Sequence, residues 1–164
     1  MSVLQPDQFL TSVLAIDLDE LMAKGYDAIL IDLDNTVLPR LTDVVPPEIV
    51  AWVEQTKARG FTFCMTSNNW HERCHRAAAQ LDIPLICKAM KPCPIAFWLA
   101  CRRHGLKRKT TMVVGDQLFT DVLGARLGGF KVIMVKPLAE YDLPHTLFLR
   151  KFERFFIGGL EPLR

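Results

Sequence analysis

The sequence predicts an α/β fold, a parallel sheet of five strands with helices on both faces. Two observations carry this expectation. Short apolar runs alternate with longer stretches of helical character over most of the 164 residues, the pattern of successive strand–helix–strand units. Proline and glycine mark the boundaries, standing where helices begin and end.

Taken in order, the run from Ala28 to Asp32 reads as the first strand, and PPEIVAWVEQTKARG as a helix that opens at a proline and stops near Gly60. Phe61 to Thr66 forms a second buried strand. Trp70 to Leu81 is helix-like, PLICKA is a short strand, and Pro92 opens a helix that runs to about His104. TTMVVG follows as the fourth strand and Phe119 to Leu127 as a helix, with Gly128 and Gly129 as its stop. KVIMV, Lys131 to Val135, is the fifth strand. One domain is expected over 1–164, with an amphipathic N-terminal segment at 1–27, a core carrying the chemistry at 28–136 and a basic, Phe-rich tail at 137–164. There is no internal repeat, low-complexity tract or linker.

Composition narrows the class. Half of the residues are hydrophobic and the net charge is only +2, so the chain has a core to bury and lacks the basic excess of an obligatory nucleic-acid partner. The cysteines Cys64, Cys74, Cys87, Cys93 and Cys101 form no CxxC pair, and their odd number suits free thiols in a reducing, cytoplasmic setting. Neither a signal peptide nor a transit peptide is evident. No apolar run approaches the roughly 20 residues that cross a bilayer.

In a parallel sheet the ligand sits beyond the carboxyl ends of the strands, so the residues just after each apolar run are the candidates for chemistry. The first strand ends in Asp32 and Asp34, which share a face if the chain stays extended. Two adjacent carboxylates repel, and they are tolerated where a cation lies between them or one keeps its proton. The second strand ends in Ser67, Asn68 and Asn69; Lys91 follows the third; Gly115 and Asp116 follow the fourth.

Four strand ends thus bring carboxylates, a hydroxyl, amides and an ammonium to one edge. A dianionic phosphomonoester needs such positive charge and donors before a carboxylate can approach it. In this reading Asp32 is the nucleophile, and Asp34 protonates the departing alkoxide and then deprotonates water. Lys91, Ser67 and Asn68 or nearby backbone amides bind the phosphoryl oxygens. Asp32, Asp34 and Asp116 hold Mg2+, with Asp121 orienting that shell from the first turn of the next helix.

Each piece has a plainer role when taken alone. Ser67 with its asparagines could be a helix N-cap, Lys91 a surface lysine, and GDQLFTD a turn before a capped helix. HERCH, His71 to His75, matches the HExxH pattern of zinc proteases, but Arg73 lies inside it and no third ligand follows at useful spacing. The basic cluster Arg102, Arg103, Lys107, Arg108 and Lys109 falls at the edge opposite the site, as helix-dipole charge. Arg40 and Lys136 are placed near the catalytic edge. In the tail, Phe148, Phe152, Phe155, Phe156 and Leu160 form a helical stripe beside Arg150, Lys151 and Arg154, which fits either a core or a membrane interface.

Together these motifs resemble the haloacid dehalogenase (HAD) superfamily of phosphohydrolases. DLDNT is similar to its first motif, the strand ending at Ser67 to its second, Lys91 to its third, and GDQLFTD to its fourth, with Asp116 and Asp121 at the acidic positions. The resemblance covers nearly the whole chain and extends to the narrower YqeG family, HAD IIIA type, through LQPDQFLTSVLAIDLDELMAKGYDAILIDLDNTV, TSNN, KAMKP and GDQLFTDVLG. Gln117 stands where many superfamily members carry a second adjacent Asp. The resemblance implies a three-layer, Rossmann-like core and a Mg2+-dependent phosphatase. The narrower family, similar to mitochondrial phosphatidylglycerophosphate phosphatases, implies a lipid headgroup as substrate; peripheral contact with the inner membrane face would come through the C-terminal tail.

Asp32 and Ser67 are 35 positions apart, and Ser67 and Lys91 24 apart. Helices and strands consume both intervals, so no cap domain is expected. An open site suits a phosphate presented by something large. A soluble phosphomonoester, a phosphorylated macromolecule, or a non-catalytic binding role on the same fold are the alternatives.

Overall fold

The fold grows from strands that are apolar on both sides. Ile29, Ile31 and Leu33 belong to one buried cluster with Phe63, Met65, Met112 and Val114. The intervening Leu30 belongs to another with Cys64, Val113 and Val132. Such strands can exist only between two layers of helices. In the computed structural model, which describes residues 3–139 and Pro162, that sandwich is complete. The aromatic stripe of the tail, Phe148 to Leu160, lies outside the described residues.

In chain order the elements are β1 (Gln8–Leu10), α1 (Leu18–Ala23), β2 (Ala28–Ile31), α2 (Pro47–Ala58), β3 (Thr62–Thr66) and α3 (Glu72–Gln80). They continue with β4 (Leu85–Ile86), α4 (Ile95–His104), β5 (Thr111–Gly115), a π turn (Leu118–Val122), α5 (Leu123–Gly128) and β6 (Lys131–Val135). The sheet runs β1-β6-β5-β2-β3-β4, and every pairing is parallel. Helices α1, α2 and α3 contribute Leu21, Trp52, Val53 and Ala77 to one face. Helices α4 and α5 contribute Phe97, Ala100 and Ala125 to the other.

From β2 the chain proceeds to β3 and β4 on one side, then returns to β5 and β6 on the other. The direction of winding therefore reverses between β2 and β5. Loops leave their carboxyl ends in opposite senses and open a crevice there.

Among the described residues the sheet has six strands, one more than the five read from the sequence. The sixth, β1, comes from the N-terminal segment, where three residues after a proline and an aspartate give no periodic signal. Long-range contacts specify it instead. Asp7 N–H donates to Val132 O at 2.8 Å, and the Asp7 carboxylate accepts from Val132 N–H at 2.8 Å and pairs with Lys131 and Arg126.

Several boundaries move inward for local reasons. Helix α3 begins at Glu72 because the Asn69 side chain accepts from Trp70 N–H at 2.8 Å and His71 N–H at 3.1 Å, a turn that delays the helix. Helix α4 begins three residues beyond Pro92. The expected helix from Phe119 opens as a π turn, in which Val122 N–H reaches back to Gln117 O at 3.2 Å.

Candidate active site

Strand β2 delivers the first acid. Asp32 N–H still bonds to Val114 O at 2.9 Å, so Asp32 continues the sheet and its side chain follows the parity of Leu30, toward α4 and α5. At Asn35 the backbone turns left-handed, with φ of 61°, a conformation that asparagine tolerates better than most residues. Leu138 N–H donates to Asn35 O at 2.8 Å and secures the turn from the end of β6.

Lys91 reaches Asp32 from the loop before α4. Its ammonium is 2.5 Å from Asp32 Oδ1 and 2.6 Å from Asp121 Oδ1, and it donates to Thr66 O at 3.1 Å. The side chain is 2% exposed, which makes it a buried cation with all three donors used. Burial works against the charge, but Asp121 and Asp32 outweigh it and hold Lys91 above the ordinary lysine range.

Asp32 feels the opposite balance. Burial pushes its carboxyl up to about 7 and the charges of Asp121 and Asp34 add to that push, while Lys91 pulls it down. Thr36 adds a long hydrogen bond to Asp32 Oδ2, at 3.5 Å.

Asp116, which follows β5, is fully buried, and Asp121 nearly so. The carboxylates of Asp32, Asp116 and Asp121 offer oxygens that all lie within 4.8 Å of one another. The π turn is what sets Asp121 there, directly over Gly115. A Cβ on Gly115 would stand 2.3 Å from Asp121 Cγ, so only glycine admits this approach. Lys91 pairs with two of these buried carboxylates, Asp32 and Asp121. Such a gathering of negative charge on hard oxygen donors suits a divalent cation.

Ser67 is buried at the end of β3. Its Oγ accepts from Asn69 N–H at 3.1 Å, and its carbonyl accepts from Ala89 N–H at 2.9 Å in the Lys91 loop. Asn68 brackets the lysine's own backbone, accepting from Lys91 N–H at 2.7 Å and donating to Lys91 O at 3.1 Å. Its amide thus serves to fix the loop that carries the ammonium.

Asp34 Oδ1 is paired with Arg73 Nη1 at the start of α3, and its charge still acts on Asp32; the carboxylates that cluster are those of Asp32, Asp116 and Asp121. Arg73 also donates to Pro39 O and Thr42 O. Sequence reasoning passed over this residue because it sat inside a false HExxH match. The available signal was that α3 leaves the strand end carrying Ser67, so its first turn must border the site.

A family model for HAD-hydrolase-like proteins matches residues 89–137. Probable phosphatase YqeG of Bacillus subtilis (strain 168) is 36% identical over 156 residues, covering 95% of this chain and 91% of that protein. Phosphatidylglycerophosphate phosphatase 1, chloroplastic/mitochondrial, of Arabidopsis thaliana is 24% identical over 164 residues, and the match covers 90% of this chain but only 47% of that relative's length.

Among solved structures, the cobalt-bound deoxy-D-mannose-octulosonate 8-phosphate phosphatase of Haemophilus influenzae superposes with a TM-score of 0.55 at 10% identity, covering 82% of this chain and 89% of that one. The 4-nitrophenylphosphatase of Thermotoga maritima gives 0.52 at 12%, covering 76% and 90%. At these identities the likeness is one of fold.

Proposed function

The chain belongs to the YqeG family of HAD-like phosphatases, and on that premise we propose that it hydrolyses a lipid phosphomonoester, phosphatidylglycerophosphate, through an aspartyl-phosphate on Asp32 with Mg2+ as cofactor. The observation that carries the chemistry is the buried contact of Lys91 with both Asp32 and Asp121, beside Asp116.

Asp32, Asp116 and Asp121 are the side chains that would hold the ion. When bound, Mg2+ supplies charge neutralisation for the phosphoryl oxygens and the attacking carboxylate. The chain's own residues do the rest. An Asp32 oxygen forms a bond to phosphorus while the bond from phosphorus to the leaving alkoxide breaks. Asp34 gives that alkoxide a proton, then takes one from the water that attacks phosphorus, releasing phosphate and restoring Asp32. Lys91 offsets negative charge as the two anions meet. Ser67 binds the phosphoryl oxygens from the end of β3.

Two observations favour a lipid. One relative is named for this substrate. Moreover, α2 and β3 occupy the chain between Asp32 and Ser67, and α3 and β4 occupy the chain between Ser67 and Lys91, so among the described residues no further folded unit roofs the site.

The test is phosphate release from phosphatidylglycerophosphate in mixed micelles and from soluble phosphomonoesters, each with Mg2+ and with chelator. The lipid is expected to turn over best, and only with the ion. Equal or better turnover of soluble esters would remove the lipid substrate while leaving the chemistry in place.

A further inference from the structure

Most apolar side chains of the described residues are buried, yet several large ones stand exposed on the loops that follow β2, β3 and β4. Leu41 is 75% exposed, Trp70 59% and Met90 67%. They follow β2, β3 and β4 respectively, so all three lie at the carboxyl edge of the sheet. Hydrogen bonds draw their loops together. Arg73 binds Asp34, Pro39 O and Thr42 O, which holds the Leu41 turn against the entrance. Lys88 N–H donates to Asn69 O at 3.3 Å, and Lys88 Nζ lies 5.8 Å from the Trp70 ring centroid. Met90 immediately precedes the buried Lys91.

The backbone keeps these tips turned outward. Lys88 and Met90 have φ of 51° and 53°, in the left-handed region that such side chains rarely adopt. Asn68 and Ser67 grip the residues on either side. An exposed methionine in this conformation gains nothing from folding alone.

Charge identifies the occupant. The three tips, 39–42, 68–71 and 87–94, contain no acid, and beside the buried Lys91 they carry Arg40 and Lys88. Asp43, one residue further on, is paired with Arg76 at 2.8 Å, and Glu72 opens α3. Apolar points beside cations match an interface of acyl chains beneath anionic headgroups.

We infer that Leu41, Trp70 and Met90 form a docking rim that enters an anionic lipid surface and brings the site to phosphates presented there. The inference rests on the lipid reading above and assigns the contact to the mouth itself. A flat bilayer can meet three separate tips at once, and the phosphate then arrives from the side on which the site is open.

The test uses the full chain and its triple variant Leu41→Ser, Trp70→Ser, Met90→Asn, with asparagine chosen to keep the left-handed backbone. Sedimentation with vesicles of phosphatidylglycerol and phosphatidylcholine reads docking without hydrolysis, and 4-nitrophenyl phosphate reads the chemistry. The wild type is expected to bind anionic vesicles, and the variant to bind roughly tenfold or more weakly while hydrolysing the soluble ester equally well. Failure of the wild type to bind, or equal binding by both, overturns the inference; the second outcome would hand the rim to a protein partner. Failure of the lipid-substrate reading shows separately, as absent phosphate release from phosphatidylglycerophosphate by a wild type that still binds vesicles.

Discussion

Arg73 and Asp34 are joined by an ion pair that links the first turn of α3 to the loop after β2. The guanidinium also gathers the carbonyls of Pro39 and Thr42, so one side chain fixes both the second acid of the DxD pair and the turn beside it. Arg73 is therefore a positioning residue for Asp34.

Replacing Asp34 by Asn should lower kcat roughly 100- to 10,000-fold if proton transfer is its main contribution. Arg73→Ala should cost about 10- to 100-fold, the effect of a misplaced acid, and Arg73→Lys should recover part of it. Because Arg73 acts through Asp34, the double variant should be no slower than Asp34→Asn alone. Additive losses in steady-state kinetics would show that the arginine works independently.

The metal-free protein should lose stability as pH rises from 5 to 8. Burial lifts Asp32 to about 7 in the folded chain, whereas the unfolded chain releases that proton near about 4. The folded state therefore binds more protons across this window, and stability falls as pH climbs through it. Thermal melts in chelator should show a steeper decline for the wild type than for Asp32→Asn, and saturating Mg2+ should shrink the difference. Parallel declines would mean that Asp32 does not carry the effect.

Gly115→Ala should disturb the centre although it adds one methyl. The new Cβ would fall 2.3 Å from Asp121 Cγ and 2.6 Å from its Cβ, and Asp121 is held by Lys91 and by Gln117 N–H. We expect a loss of about 1–3 kcal/mol in urea unfolding, as for overpacking, and weaker Mg2+ binding by calorimetry. Unchanged ion affinity would show that Asp121 can move without consequence.

Asp7→Asn should destabilise the chain at neutral pH and flatten its acid limb. Burial alone would raise the Asp7 carboxyl, but the Val132 amide, Lys131 and Arg126 outweigh it and set the group below its usual range. Its stabilisation is present above the unfolded value near about 4 and disappears as pH falls through the lower folded value. Urea titrations at pH 7 and pH 3 should show a larger wild-type advantage at pH 7. An equal advantage at both would assign the effect to packing.

The central strands and the helices between them were legible because burial on two faces leaves continuous apolar runs, as in AILI and FTFCMT. Asp32, Lys91, Asp116 and Asp121 were legible for a related reason, since a parallel sheet gathers whatever follows its strands. What could not be read depends on partners distant in the chain. Three-residue β1 is specified by Asp7 meeting Val132. Asn68 looks like a cap until Lys91 folds against it. The ion pair of Asp34 with Arg73 likewise exists only when α3 packs beside the loop after β2.

The strand order has a consequence for the chain as it is made. Among the described strands β1 is made first and its neighbour β6 last, and Asp7 cannot meet Val132 until more than a hundred further residues have been added. Once made, β5 also keeps an open side until β6 follows it, and unpaired edges are where nascent chains go astray. Completion of the sheet is thus a late, long-range event, and delay near the end of synthesis, rather than in the middle, is the point at which this enzyme is most exposed to aggregation.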